Sequence, residues 1–251
     1  MIKTLNRRAA LAAVYAERYV LSLVYLYFAW VEFHKLWLIW LGPASNSGTV
    51  ALEAARHVIA LMLNFFVGIL LFLGRRADVP PQTRKDILIP LATSFFNLTY
   101  NATPWFPAWL RTSLCSTDWQ TPLTAIGLFL GLAGPAVAIW AVLYLGRSFG
   151  VFVVVRKVVL DGPYQRVRHP IYLGYLCMLA GLVLVNFSAA YFILVSIHIA
   201  LLLYRAHLEE VRLSEHSPEY REYMKRTGFI FPRLRRPALD QPERGPASGL
   251  R

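Results

Sequence analysis

Apolar residues run almost unbroken through six stretches, at about 11–33, 56–73, 87–103, 123–145, 170–186 and 189–204, with Lys, Arg, Pro and Gly gathered between them. Each run approaches the roughly 20 residues that a helix needs to cross a bilayer. The pattern predicts an all-α, polytopic membrane helix bundle of about six spans. Gly131 to Pro135 predicts a break in the fourth span. Only Asn186-Phe187-Ser188 separates the last two, so these must form a tight antiparallel hairpin, and Gly174 and Gly181 let another helix approach the fifth span closely. Beyond Tyr204 the pattern changes, with Arg205, Glu209, Glu210, Arg212 and Glu215 interleaved with Leu208, Leu213, Tyr220 and Tyr223. That spacing predicts a C-terminal amphipathic helix lying on the cytoplasmic surface. From residue 233 onward Pro, Gly and charge dominate and predict a disordered tail. The expected division is a four-span region at 1–145, a connector, hairpin and surface helix at 146–232, and a tail at 233–251.

Composition agrees with a membrane protein, at 57% apolar and 16% charged residues. The net charge of +12 is confined to short segments rather than spread along one helical face, which argues against nucleic acid as a partner. Of the 26 Lys and Arg residues, 22 fall before the first span, in 74–86, in 146–169 or after 204, whereas the opposite connections hold only Lys35, Arg56 and Arg111. This bias predicts that both termini are cytoplasmic, and size and short connections suggest a bacterial inner membrane. Glu17 and Arg18 interrupt the first apolar stretch, and no small-residue cleavage site follows it, so the first helix is expected to stay in place. Cys115 and Cys177 suggest neither a disulfide framework nor a thiolate metal cluster.

Chemistry concentrates in two places. Residues 156–174 form a basic, turn-rich connector in which Gly162-Pro163 turns the chain and Pro170 opens a helix, leaving His169 at a helix mouth beside unpaired N–H groups. The second place is Arg205-Ala206-His207-Leu208-Glu209-Glu210, with Arg205 and Glu209 on one helix face. The hairpin returns both clusters to the same cytoplasmic edge. Read singly, Arg205 is a positive-inside anchor and Arg205–Glu209 a surface pair. His207, Glu210 and His216 have no second pair at metal-ligand spacing, so no metal site is expected.

The elements Gly162-Pro163-Tyr164, Arg168-His169-Pro170-Ile171-Tyr172-Leu173-Gly174, Arg205 with Glu209-Glu210, and Tyr220-Arg221-Glu222-Tyr223 before Pro232 are similar, in order and spacing, to the isoprenylcysteine carboxyl methyltransferase family. The similarity extends to its membrane-bound phospholipid and thiol methyltransferase relatives and covers about residues 145–232. It implies S-adenosylmethionine as cofactor, lined by Arg156, Lys157, Val158, Val159, Tyr164, His169, Pro170, Ile171, Tyr172 and Glu209. Arg205 would face the acceptor and serve as the catalytic, acceptor-binding residue. A lipid or lipophilic small-molecule acceptor, bearing a carboxylate, thiol or amine, would enter from the bilayer. Between the Glu-Glu element and the tyrosines, His216-Ser217-Pro218 replaces the usual aromatic-Gly pair, and Ala206 replaces a larger aliphatic, so the substrate of the name-giving members does not carry over.

Two other classes fit part of the pattern. A membrane sterol-type reductase using NADPH shares a His-Pro-x-Tyr-x-Gly-like region, and Arg166 and Arg168 suit a 2′-phosphate. A small transporter or scaffold would place broken helices and ionisable groups at mid-bilayer in repeated halves, and no second break matches Gly131 to Pro135. The sequence leaves the oligomeric state open.

Overall fold

The computed structural model describes residues 5–42 and 48–233. Helix α1 runs from Arg7 to Leu41 and contains a π-helical turn, Ala16–Leu21. Helix α2 is Gly48–Leu73, and α3 is Lys85–Phe95, continued by a 3-10 segment, Phe96–Trp105. There follow α4 (Thr117–Leu145), α5 (Pro170–Val185), α6 (Ala189–His216) and α7 (Pro218–Arg226), with no strand among the described residues.

Four helices, α1, α2, α4 and α6, are long and apolar enough to cross a membrane. Helix α5 is apolar but only 16 residues long. The stretch expected as the third span departs furthest from expectation, because its α-helix stops at Phe95. Beyond it, Thr99 and Thr103 turn their hydroxyls onto the carbonyls of Phe96 and Tyr100, at 2.6 and 2.9 Å. Such back-bonding three residues upstream competes with the α-helical ladder, and Pro104 removes a further donor.

Two further expectations are corrected. Helix α4 passes through Gly131 to Pro135 unbroken, packed tightly against α5. A Cβ at Gly134 would lie 2.5 Å from the carbonyl of Gly174, and one at Gly127 would lie 2.7 Å from that of Gly181. Two glycines on each helix, both pairs seven residues apart, thus allow backbone contact along two turns. The polar segment after Tyr204 is no separate surface helix but the last three turns of α6, since neither Gly nor Pro interrupts Ala189–His216. The chain breaks only at Ser217-Pro218, where the Ser217 hydroxyl accepts from the Tyr220 N–H at 3.1 Å and caps the amphipathic α7.

The basic segments meet at one end of the bundle. The Leu5 N–H donates to Gln82 (2.9 Å), that of Arg75 to Arg147 (2.8 Å), and Val79 pairs with Val155 in an antiparallel bridge. At the other end Leu114 donates to Phe187 at 2.8 Å. The predicted disordered tail lies, from residue 234, outside the described residues.

Candidate cofactor and acceptor site

The connector between α4 and α5 has little regular structure of its own, and side chains from other elements hold it. Val151, Phe152, Val153 and Val155 are buried, which leaves their polar backbone in need of partners. Glu17 supplies them from the π-turn of α1, with Oε1 accepting from the N–H groups of Val151 and Phe152 at 2.6 and 2.8 Å. Its Oε2 pairs with Arg156 Nη2 at 2.7 Å, and the residue is only 1% exposed. The widened turn fits the pattern of π-bulges at functional positions. Asp86, wholly buried at the start of α3, accepts from the N–H groups of Gln82 and Thr83 and pairs with Arg212 at 3.1 Å, while its own carbonyl accepts from Val153.

The hairpin brings the starts of α5 and the polar end of α6 together. Arg205 is buried and makes four contacts: Nε to Glu209 Oε1 at 3.1 Å, Nη2 to the Val151 carbonyl at 2.8 Å, Nη1 to Ser94 Oγ at 3.4 Å, and its Cζ 5.6 Å over the Tyr172 ring. The Tyr172 hydroxyl donates to the same Glu209 oxygen at 2.5 Å. The peptide at residue 151 is therefore gripped from both sides, its N–H by Glu17 and its carbonyl by Arg205. Arg168 pairs with Glu210 and donates to the carbonyls of Met224 and Thr227. His169 stacks on Tyr172 with centroids 5.1 Å apart, and its buried Nε2, 3.3 Å from Glu210 Oε1, has no well-formed hydrogen bond.

Residues 227–230 lie alongside the connector in parallel, with Arg168 N–H donating to Gly228 at 2.9 Å and His169 N–H to Phe229 at 3.1 Å. Helix α7 fastens this arrangement through the Tyr223 hydroxyl, which donates to the Tyr164 carbonyl at 2.5 Å. Burial pushes the Tyr223 phenol up to about 12 and raises those of Tyr164 and Tyr220 as well, Tyr164 being further raised by the Glu209 carboxylate. All three remain neutral near pH 7.

A cavity of about 170 Å³ opens among these elements, and all eleven residues singled out from the sequence line it, from Arg156 to Val159, Tyr164, His169 to Tyr172, Arg205 and Glu209. Sequence reasoning missed Tyr25 and Ser94, contributed by α1 and α3, and the clamp Glu17. A carboxylate inside an apolar span was the available signal for Glu17; nothing marked Tyr25 or Ser94. A second cavity of about 620 Å³ continues toward the opposite end of the bundle and shares Tyr25, Leu63, Ser94, Tyr175 and Arg205 with the first. Arg205 stands at their junction.

Residues 122–217 match the family model of phospholipid methyltransferase, which belongs to the isoprenylcysteine carboxyl methyltransferase-type group of membrane methyltransferases. The resemblance carried by the connector and the Glu-Glu helix is thereby shown, and the match reaches upstream to include α4 with its glycine face. Over 123 residues the chain is 34% identical to the cobalt-zinc-cadmium resistance protein CzcN of Cupriavidus metallidurans, covering 46% of this chain and 52% of that protein. Over 126 residues it is 31% identical to the nickel-cobalt-cadmium resistance protein NccN of Alcaligenes xylosoxydans xylosoxydans, covering 47% of this chain and 56% of that protein. The chain thus spans about half the length of the curated relatives it matches.

Proposed function

We propose that this membrane protein is an S-adenosylmethionine-dependent methyltransferase, with the cofactor in the smaller cavity and the acceptor reaching it through the larger one. The observation that carries the reading is the junction itself: Arg205 touches both cavities and ties the cofactor-side carboxylate Glu209 to the connector. The residues suit the cofactor's chemistry. Glu209 offers a carboxylate to its hydroxyl or ammonium groups, Arg156 and Lys157 offer positive charge to its carboxylate, and Val158, Val159 and Ile171 offer apolar contact to its adenine. His169 Nε2, buried without a well-formed bond, is a polar atom that such a ligand would satisfy.

Bound there, S-adenosylmethionine supplies an electrophilic methyl group on a sulfonium. The chain's share is positioning and exclusion of water, and an in-line displacement asks for no enzyme nucleophile. Buried Phe149, Val151 and Phe152 wall the site, and the Tyr172 hydroxyl fixes Glu209. The guanidinium of Arg205, already oriented by Glu209 and Val151, can hold an acidic acceptor group at the junction. A carboxylate or thiolate acceptor needs no general base there. With the basic segments at the cofactor end, both termini and that cavity face the cytoplasm of a bacterial inner membrane. On this reading 146–232 forms the cofactor-binding unit and α1–α3 close it.

Membranes containing the protein, incubated with methyl-tritiated S-adenosylmethionine, test the proposal. Label should pass to an extractable small molecule or lipid, and Arg205→Ala should stop that transfer. Transfer that persists in Arg205→Ala would remove Arg205 from the acceptor site, and labelling no greater than in membranes lacking the chain would sink the proposed activity.

A further inference from the structure

The larger cavity changes character along its length. At the shared end it meets Arg205 and Tyr25; its middle is walled by Phe28, Ala60, Gly131 and Met178; its far end is charged, with Glu32, Lys35, Arg56 and His57. Two helices provide the same ruler. Glu32 is seven residues beyond Tyr25 on α1, and His198 seven residues before Arg205 on α6, so each lies about 10 Å from the junction. Had the chamber been shaped for a hydrocarbon tail, apolar side chains would be expected at this depth. Instead Glu32 Oε1 pairs with Lys35 at 2.8 Å and Oε2 with His57 Nδ1 at 2.5 Å, the Glu32 and His57 side chains being only 16% and 19% exposed. These groups gather where the apolar runs of α1 and α2 meet the outer connection, so the far end of the chamber is charged rather than apolar.

The sign of the far end follows from the same residues. Among the described lining residues Glu32 is the only acid at that end, and both its oxygens are already engaged. Lys35 and Arg56 are permanent cations, so among the described lining residues positive charge is in excess. His198 offers the chamber no free ring nitrogen, being satisfied between the Tyr100 hydroxyl at 3.0 Å and the Thr93 carbonyl at 3.1 Å.

We infer that the acceptor is a two-ended molecule carrying an anionic group about 10 Å from the methylated atom, received by Lys35 and Arg56 beside the Glu32–His57 pair. The inference rests on the proposed methyltransferase reading and narrows its acceptor class. The anion is either that of a free molecule or the phosphate of a lipid headgroup.

Calorimetry on the detergent-solubilised protein saturated with S-adenosylhomocysteine separates these outcomes. Octanedioate should bind about tenfold more tightly than octanoate, and a Lys35→Gln/Arg56→Gln double variant should erase that advantage. If the advantage appears instead for phosphatidylglycerol over phosphatidylcholine in mixed micelles, with the same dependence on the variant, the anion is a lipid's. Equal binding of the anionic probe and its counterpart in both comparisons, or an advantage untouched by the double variant, overturns the inference while the cofactor reading stands. Failure of S-adenosylhomocysteine itself to bind removes the reading on which it rests.

Discussion

Replacing Glu17 by Ala removes the side-chain acceptor of two buried N–H groups and the carboxylate partner of a nearly buried guanidinium. Each charge-assisted hydrogen bond of this kind is worth about 1.5–3 kcal/mol, and breaking a buried pair from one side costs about 3–5 kcal/mol. The loss falls on the connector, because Val155 stays bridged to Val79 and Val153 to Asp86 while residues 151–152 lose the acceptor of their N–H groups and only the Val151 carbonyl stays held, by Arg205. Taking about 3 kcal/mol as the local cost, opening of 151–156 should become on the order of a hundredfold more frequent. Hydrogen exchange read by mass spectrometry reports this directly: peptides covering 149–156 should lose about two decades of protection, whereas those from α5 stay unchanged. Glu17→Gln, which keeps one acceptor but no charge, should fall between. Undiminished protection in a folded Glu17→Ala protein would show that the carboxylate does not hold the connector and would refute the clamp.

Three further outcomes are expected. Gly134→Val forces a branched side chain against the Gly174 backbone, where even a Cβ comes within 2.5 Å, and should destabilise the α4–α5 pair by more than the 1–3 kcal/mol typical of overpacking; thermal unfolding in detergent measures it. The Tyr223 phenol is raised by burial to about 12, so folding favours its protonated form; stability from this group is full below pH 10 and is lost as pH climbs toward 12. Spectrophotometric titration should show late tyrosine ionisations whose amplitude falls by one residue in Tyr223→Phe. Arg205→Lys keeps the charge but cannot reach Glu209, Val151 and Ser94 together; methyl transfer should fall by about ten- to a hundredfold, some 1.4–2.7 kcal/mol in the barrier, with S-adenosylhomocysteine affinity held.

The cluster around His169, Arg205 and Glu209 was legible because it depends on short-range facts: Pro170 starts a helix, three residues join α5 to α6, and Arg205 and Glu209 are one turn apart. Those facts bring His169 and Glu209 together whatever the rest of the bundle does. The helix boundaries were less legible. A change from apolar to charged residues after Tyr204 marks where α6 leaves the apolar layer, but only Ser217-Pro218 ends the helix. Conversely, the run at 87–103 is apolar throughout, yet threonine hydroxyls and Pro104 deny it an α-helical ladder. Gly131-x-x-Gly134-Pro135 reads as a break until the facing glycines of α5 show that the small residues serve contact between helices. Tyr25 and Ser94 carry no local mark, since their place in the site is set only when α1 and α3 dock against the connector.

The central claim is that the smaller cavity binds S-adenosylmethionine through Glu209, and calorimetric titration of the solubilised protein with S-adenosylhomocysteine tests it most directly, with NADPH run in parallel. The account predicts saturable binding of S-adenosylhomocysteine, weakened by about ten- to a hundredfold in Glu209→Ala, and none of NADPH. Binding of NADPH without S-adenosylhomocysteine, or S-adenosylhomocysteine affinity indifferent to Glu209→Ala, would contradict it.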